Sequence, residues 1–598
     1  MKAILSWILP PARLAILGMA ACLFQASSAP AVAASEGRPP TFCNPLDLPY
    51  RFNSLKGFPM REAADPVIVR FNDEYWLFAS KAGGYWHSKD MVNWDIVVPT
   101  GLPLENYAPS VVVIKGKMFF TNVRSKAIFT TDDPAGGKWT QVAEFGQYDD
   151  PALFVDDDEK VYMFSGCSPK TPIWGVELDP AHGFAEAGKT AGLIALDPLH
   201  HGWELRNLQG SDLEIAADKR LSWVEGAWMT KHNGTYYLQY AAPGTVMKEY
   251  GDGVYISDRP LGPYRYAPYS PFSYKPSGFI GSAGHSCMYQ DDQGRYWHVV
   301  TMFVGVRHGW ERRLGIFPAG FVANGTEPDE IACNTYLGDY PQYAPGFARD
   351  PLADNSPGWM LVSYNKRATA SSTLDERHQP ELAFDEDVRT WWAAATGDPG
   401  EWLSVDLGKP CRIDAVQINF GDEKSVGYDL NKDAFRYMLE TSDDGKTWKP
   451  LVDRKENTRD AVHEYVQLDR PVTARYVKLT NVHTPGGAVF SVSGLRLFGS
   501  GLGKSPEEVD GVSAGRLPNR RLAKVSWTKS PGADFYIVRY GIKPDRLTHN
   551  FQVYDGENVT LSGLNTGSEY FATVDAVNDS GLTKGTKVVA VQAEEQQP

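Results

Sequence analysis

The chain has 598 residues, more than one hydrophobic core organises, so several domains are expected. With 42% hydrophobic and 22% charged residues it has the composition of a folded globular protein, not a disordered one. A formal charge of -14, without any long basic run, excludes nucleic acid as a partner, because phosphate recognition needs basic patches.

In chain order, residues 1–34 read as an export signal. Lys2 and Arg13 flank a short polar-poor region, and Leu14–Phe24 form an apolar stretch too short to span a bilayer. Ala-Val-Ala-Ala at 31–34 offers a cleavage site. Cys22, after Met-Ala-Ala, gives a competing lipid-anchor reading, but lipoprotein signals usually carry Leu where Met19 stands. The mature protein is therefore expected to be secreted or periplasmic, a monomer without a transmembrane segment. Five cysteines remain, Cys43, Cys167, Cys287, Cys333 and Cys411, and the lack of a CxxC pair argues against zinc or redox chemistry. Cys43 and Cys333 lie near the two ends of the next region, and a disulfide clasping those ends is expected.

Residues 35–345 contain a fivefold repeat. Its units begin at Asp65 (ADPVIVRFNDEYWLFAS), Ala108 (APSVVVIKGKMFFTN), Asp150 (DPALFVDDDEKVYMFSG), Glu225 (EGAWMTKHNGTYYLQYA) and His285 (HSCMYQDDQGRYWHVVT). In each, a short apolar strand leads to a turn: Asn72-Asp73, Lys115-Gly116, Asp157-Asp158, Asn233-Gly234 or Gln293-Gly294. A second strand follows with an aromatic at similar offset: Trp76, Phe120, Tyr162, Tyr237 or Trp297. That grammar predicts β-hairpins. Five four-stranded units in a ring make a β-propeller, whose first strands line a central channel. The starting residues then meet at one axis, and three of them are carboxylates. Like charges that close cost energy unless paired or used. Glycoside hydrolysis uses them: one carboxylic acid protonates the leaving oxygen, and a second activates water or attacks the sugar carbon. A third holds the donor's proton by repulsion. Asp156, Asp157 and Asp158 read as a solvated hairpin turn, not a calcium cluster.

At these residues, over about 40–335, the chain resembles glycoside hydrolase family 43. The matching phrases are Asp65-Pro66, Asp150-Pro151, Glu225-Gly226 and, more softly, SKDMVNW. The resemblance implies inversion of configuration, with Asp65 as general base, Asp150 as orienter and pKa modulator, and Glu225 as general acid. It implies that His285 contacts a calcium ion or water in the channel, and that Arg312 lies near the base. Glu-Gly-Ala-Trp in place of the commoner Glu-Gly-Pro, and Ala108-Pro109-Ser110 without an acid after the proline, are departures that bear on the sugar subsite. Trp86, Trp223 and Arg307 are the substrate candidates, with Trp228, His308 and Trp310 behind them.

Residues 346–359, rich in Pro, Gly and Asp, read as a linker. The phrases ATASSTLDERHQPELAFDEDVRTWW, FRYMLETSDDGKTWKPL, ARYVKLTNV and SGLRLFG, in that order within 360–500, resemble a discoidin-type sandwich, or carbohydrate-binding module family 32. Arg377 and His378 are its glycan candidates, Trp392 reads as core, and Asp385 is the calcium candidate the resemblance implies. Residues 504–598 resemble a fibronectin type III domain. There Trp527, Tyr536 and Tyr540 alternate inward, Tyr570 has tyrosine-corner spacing, and a spacer role is expected.

The fold expected is thus all-β, a five-bladed propeller followed by two sandwiches, with no organic cofactor. The expected activity is hydrolysis of polysaccharide side chains, of α-L-arabinofuranosidase or β-xylosidase type. Galactose-releasing members of such a family leave the sugar open. A retaining fructan-type hydrolase is disfavoured, because the chain shows Ala-Asp-Pro, Asp-Asp-Pro and Glu-Gly where that class has Asn-Asp-Pro, Arg-Asp-Pro and Glu-Cys. An inactive glycan-binding protein is the non-enzyme alternative.

Overall fold

A computed structural model describes residues 37–53, 60–206, 222–347, 353–429 and 432–592. The export signal and Cys22 lie outside the described residues.

Five antiparallel sheets follow one another in sequence, each built from consecutive strands. Their first strands are Ala64–Phe71, Ser110–Ile114, Ala152–Val155, Glu225–His232 and Gly281–Gln290. Each first strand packs against the next, and the fifth packs against the first, so the ring closes as a five-bladed propeller. Blades one, two, four and five have four strands; blade three adds Ala191–Ile194 on its third strand. The hairpins turn where the sequence placed them. Asn72-Asp73, Lys115-Gly116 and Asn233-Gly234 all have left-handed backbones, as two-residue turns between twisted strands require. In blade three the left-handed residue is Glu159, one beyond the Asp-Asp pair. Asp156 there accepts from Lys231 Nζ (2.6 Å) and from the Tyr236 hydroxyl (2.6 Å), tying blade three to blade four.

The expected disulfide does not form. Cys43 and Cys333 are both free and buried, and they belong to different apolar clusters: Cys43 Sγ faces the Asp339 carbonyl at 3.4 Å. Hydrogen bonds join the ends instead. Thr41–Phe42 pairs with Gln342–Tyr343, and the Asn44 side chain donates to the carbonyls of Ile316 (2.9 Å) and Gly338 (2.8 Å) and accepts from Ile316 N (3.0 Å). A satisfied amide at that position performs the clasp without covalent chemistry.

Residues 360–500 form a sandwich around two long, bent strands, Trp402–Phe420 and His463–His483, with Trp392, Phe420, Phe435 and Phe490 in its core. Trp392 is thus core, as the sequence indicated. The last domain packs a three-stranded sheet on a five-stranded one, with Trp527, Tyr536, Tyr540 and Tyr570 between them. It is not a free spacer. Lys543 and Arg546 both bind Glu330 of the propeller, Asn565 donates to the Ser270 carbonyl (2.8 Å), and Gln552 meets Lys275 (3.2 Å).

Candidate functional site

The start of each first strand carries a residue in the left-handed region: Asp65 (φ 52°), Ala108 (φ 47°), Asp150 (φ 46°), Gly226 (φ 62°) and His285 (φ 41°). Four of these five are not glycine, and a left-handed backbone costs such a residue roughly 1–2 kcal/mol. Shared strain of this kind, next to bulges at Ala64/Val67 and Glu225/Trp228, aims side chains into the channel. Blade four is offset by one residue. Its left-handed position is Gly226, so Glu225 enters from the residue before, not in the same phase as Asp65 and Asp150. The reason is space. A Cβ on Gly226 would lie 2.8 Å from His285 Cγ and 3.0 Å from its Cβ.

Asp65, Asp150 and Glu225 are buried around His285. His285 Nδ1 lies 3.3 Å from Asp65 Oδ1 and 3.7 Å from Asp150 Oδ2. Ligand atoms of Asp150, Cys167 and Glu225 all lie within 4.8 Å of one another. The predicted convergence of the three acids is therefore present.

Their surroundings differ. Asp65 accepts from Ser80 Oγ (2.6 Å) and from Arg312 Nη1 (3.2 Å), and its backbone N donates to Thr301 Oγ1 (2.8 Å). Burial pushes its carboxyl upward, but Arg312, His285 and Ser80 outweigh that and hold it below the ordinary carboxylate range. Asp150 is raised, first by burial and then by Glu225 and Asp65, against an opposing pull from His285. Burial lowers the His285 imidazole, yet Asp65, Asp150, Glu225 and Asp252 together raise it. A cation at the axis is how three carboxylates share it. Asp252 also holds the His285 backbone, accepting from its N–H (2.9 Å) and from the Ser286 hydroxyl.

Glu225 Oε1 accepts from the Tyr250 hydroxyl (2.8 Å) and Oε2 from the Cys167 thiol (3.1 Å). Burial, Asp150 and Glu225 raise Cys167 so far that it stays a thiol and a donor. An open cavity of about 360 Å³ is lined by their chain neighbours Ser168 and Val224 together with Thr171, Leu196 and Asp197, and none of the three acids is among its lining residues.

Arg312 stands where the sequence put it. Fully buried, it also donates to Glu62 Oε1 (2.8 Å) and Thr245 Oγ1 (3.0 Å). Over it lie Trp310, 41% exposed, with its ring centroid 5.1 Å from the guanidinium carbon, and Tyr107 at 5.7 Å. These two rings form an aromatic wall on the Asp65 side. Trp223 is half-buried two residues before Glu225. Trp86 is not at the rim: on the third strand of blade one it sits opposite Leu77 and Ile96 and packs edge-on to Tyr50, fully buried. Arg307 is also not among the acids; it is held by Glu311 (3.6 Å) beside Trp391 of the next domain. Glu62, Tyr107, Cys167, Tyr250 and Asp252 were missed, because they precede or follow the repeat starts and share no phase with them.

Calcium takes six to eight oxygen ligands. The side chains around His285 do not build that shell, since the described grouping of converging ligands includes the Cys167 sulfur and Asp65 is committed to Arg312 and Ser80. In the second domain Asp385 accepts from Thr390 Oγ1 (2.7 Å), and burial pushes it up to about 6. Arg377 and His378 both lean on Asp375.

The family Glycosyl hydrolases family 43 matches residues 59–327, and the F5/8 type C domain matches residues 367–493. A xylan 1,3-beta-xylosidase of Vibrio sp is 27% identical over 381 residues, which is 58% of this chain and 66% of that protein. A xylosidase/arabinosidase of Butyrivibrio fibrisolvens is 29% identical over 287 residues, 42% of this chain and 50% of that one. The chain thus spans about half to two thirds of the length of these two relatives. A solved glycoside hydrolase superposes with a TM-score of 0.43 at 17% identity, over 73% of this chain and 97% of its own. The propeller that carries Asp65, Asp150, Glu225 and His285 is thus the part of the chain similar to glycosyl hydrolases family 43, and the sandwich after it is the part similar to an F5/8 type C domain.

Proposed function

We propose that the propeller hydrolyses glycosidic bonds of polysaccharide side chains with inversion, Asp65 acting as base and Glu225 as acid. One observation carries this: the channel is electrically divided. On one side Asp65 is kept ionised by Arg312 and His285, ready to take a proton from water. On the other, burial and mutual repulsion keep a proton on the Asp150 side, beside Glu225. Glu225 lies beside Asp150, and we assign it the transfer of a proton to the glycosidic oxygen, Asp150 returning a proton to it between turnovers. Asp150 orients His285 and sustains the proton supply. Two carboxylic groups with opposed protonation are what the reaction needs.

Arabinofuranosyl or xylosyl units are the sugars we assign, in keeping with the xylosidase and arabinosidase names of the relatives. Trp310 and Tyr107 offer rings for stacking. Glu225→Gln tests the assignment. Turnover of arabinan or xylan oligomers should fall about a thousandfold or more, and turnover of aryl glycosides with good leaving groups should fall less. Unchanged turnover removes Glu225 from the acid role. Proton NMR of the first anomer released should show inversion.

The last domain we read as fibronectin type III: Tyr570 accepts from Asn565 N at 3.2 Å, the tie of a tyrosine corner. Residues 1–34 we read as an export signal, which amino-terminal sequencing of the mature protein tests. Glycan binding by the F5/8 type C domain would use the exposed Arg377 edge.

A further inference from the structure

Strand alternation gives neighbouring residues opposite faces. Glu62 and Arg312 face the channel and Asp65. Their chain neighbours Arg61 and Arg313 face the F5/8 type C domain. Arg61 is fully buried, and both of its anionic partners come from that domain: Nε donates to Asp422 Oδ2 (2.9 Å) and Nη1 to Asp460 Oδ2 (2.6 Å). The Tyr428 hydroxyl of the same domain completes the set. Arg313 stitches the two segments together, donating to the carbonyls of Arg61 (2.7 Å) and Arg312 (2.9 Å) and to His463 Nε2 (2.8 Å). Ala63 N donates to the Arg312 carbonyl (3.3 Å). Charges therefore alternate along one line: Asp422 and Asp460, Arg61, then Glu62, Arg312 and Asp65.

We propose that the F5/8 type C domain is a working part of the hydrolytic site: Asp422 and Asp460 are positioning residues that fix Arg61 and, through Glu62 and Arg312, the Asp65 carboxylate. A buried guanidinium without its anions either turns toward water or drags its strand with it. Either movement starts one residue from Glu62 and displaces the Arg312–Asp65 contact. This inference rests on Asp65 being the base, as proposed above.

The test uses the full chain with Asp422→Asn and Asp460→Asn together. Asp47→Asn is the control: it weakens the same interface, where Asp47 meets Arg459 at 2.7 Å, but leads nowhere into the channel. On an aryl glycoside the double variant should lose about tenfold or more in kcat with KM within about twofold, while Asp47→Asn keeps kcat within about twofold. A folded double variant with unchanged kcat overturns the inference, as does an equal loss in Asp47→Asn. If the double variant does not fold, Asp460→Asn alone, which leaves Asp422 on Arg61, should still lose about threefold in kcat; unchanged kcat there overturns it. Crystal structures of parent and variant give a readout independent of turnover. The Arg312 Nη1–Asp65 Oδ1 contact should lengthen by about 1 Å, and its persistence sinks the inference. A parent chain that hydrolyses no glycoside sinks the functional reading instead, and the crystal structures still decide this one.

Discussion

Arg312 settles the protonation of Asp65, and its removal is the most informative single change at the site. Arg312→Gln takes away the cation that holds Asp65 below the ordinary carboxylate range, while burial continues to push it up. A base must be ionised, so the acid limb of kcat/KM should move upward, by about one pH unit or more. Loss of activity should be greater at pH 5 than at pH 7, which a pH profile on an aryl glycoside checks. Most of this was legible in the sequence. Asp65, Asp150 and His285 sit at repeat starts, which repetition makes visible, whereas Arg312 was marked only by the family resemblance. Glu62, Tyr250 and Cys167 were not legible, because a residue that approaches from between repeats leaves no periodic trace. Trp86 misled for a related reason: the pattern gave it a strand but not the side of the blade it faces.

At the scale of the element, Gly226 shows how one residue of offset redirects the Glu225 side chain. Blade four keeps a bulge like those of blades one and five but spends its left-handed position on glycine, and the space beyond is taken by His285. Gly226→Ala should cost about 1–2 kcal/mol in backbone strain. It should cost activity more, roughly a hundredfold in kcat/KM, because an imidazole displaced by about 1 Å misplaces two carboxylates. Thermal melting and steady-state kinetics on the same preparation separate the two effects. The sequence showed Glu225-Gly226 as a pair but suggested that Glu225 led the repeat. The hairpin turns were legible outright, since Asn-Gly and Lys-Gly between apolar runs leave the backbone little choice.

For the whole molecule, three domains meet at Lys275, Asp339, Arg496 and Gln552. Lys275 Nζ lies 3.2 Å from Asp339 Oδ1 and 3.2 Å from Gln552 Oε1, and Arg496 donates to the Asp339 carbonyl (2.6 Å). Burial raises Asp339, but Lys275 and Arg496 outweigh it and hold the carboxyl low. A carboxyl depressed on folding stabilises above its unfolded pKa, and that stability is lost as pH falls through the folded value. Lys275→Met leaves Asp339 buried without its nearest cation and should cost about 3–5 kcal/mol. The deficit should be widest near neutral pH and narrow in acid, as denaturant titrations at several pH values will show. Nothing in the sequence announced this junction, because each domain's pattern is complete in itself and buried ion pairs between domains carry no periodicity. The strap ahead of blade one has a similar dependence. Thr41 N donates to Gln467 Oε1 (2.8 Å), its hydroxyl lies 2.7 Å from that of Tyr465, and Arg38 reaches Asp414. During synthesis, therefore, Thr41 waits 424 and 426 codons for Tyr465 and Gln467, and Arg38 waits 376 for Asp414. The ring of blades acquires its final seal only after most of the second domain has been translated.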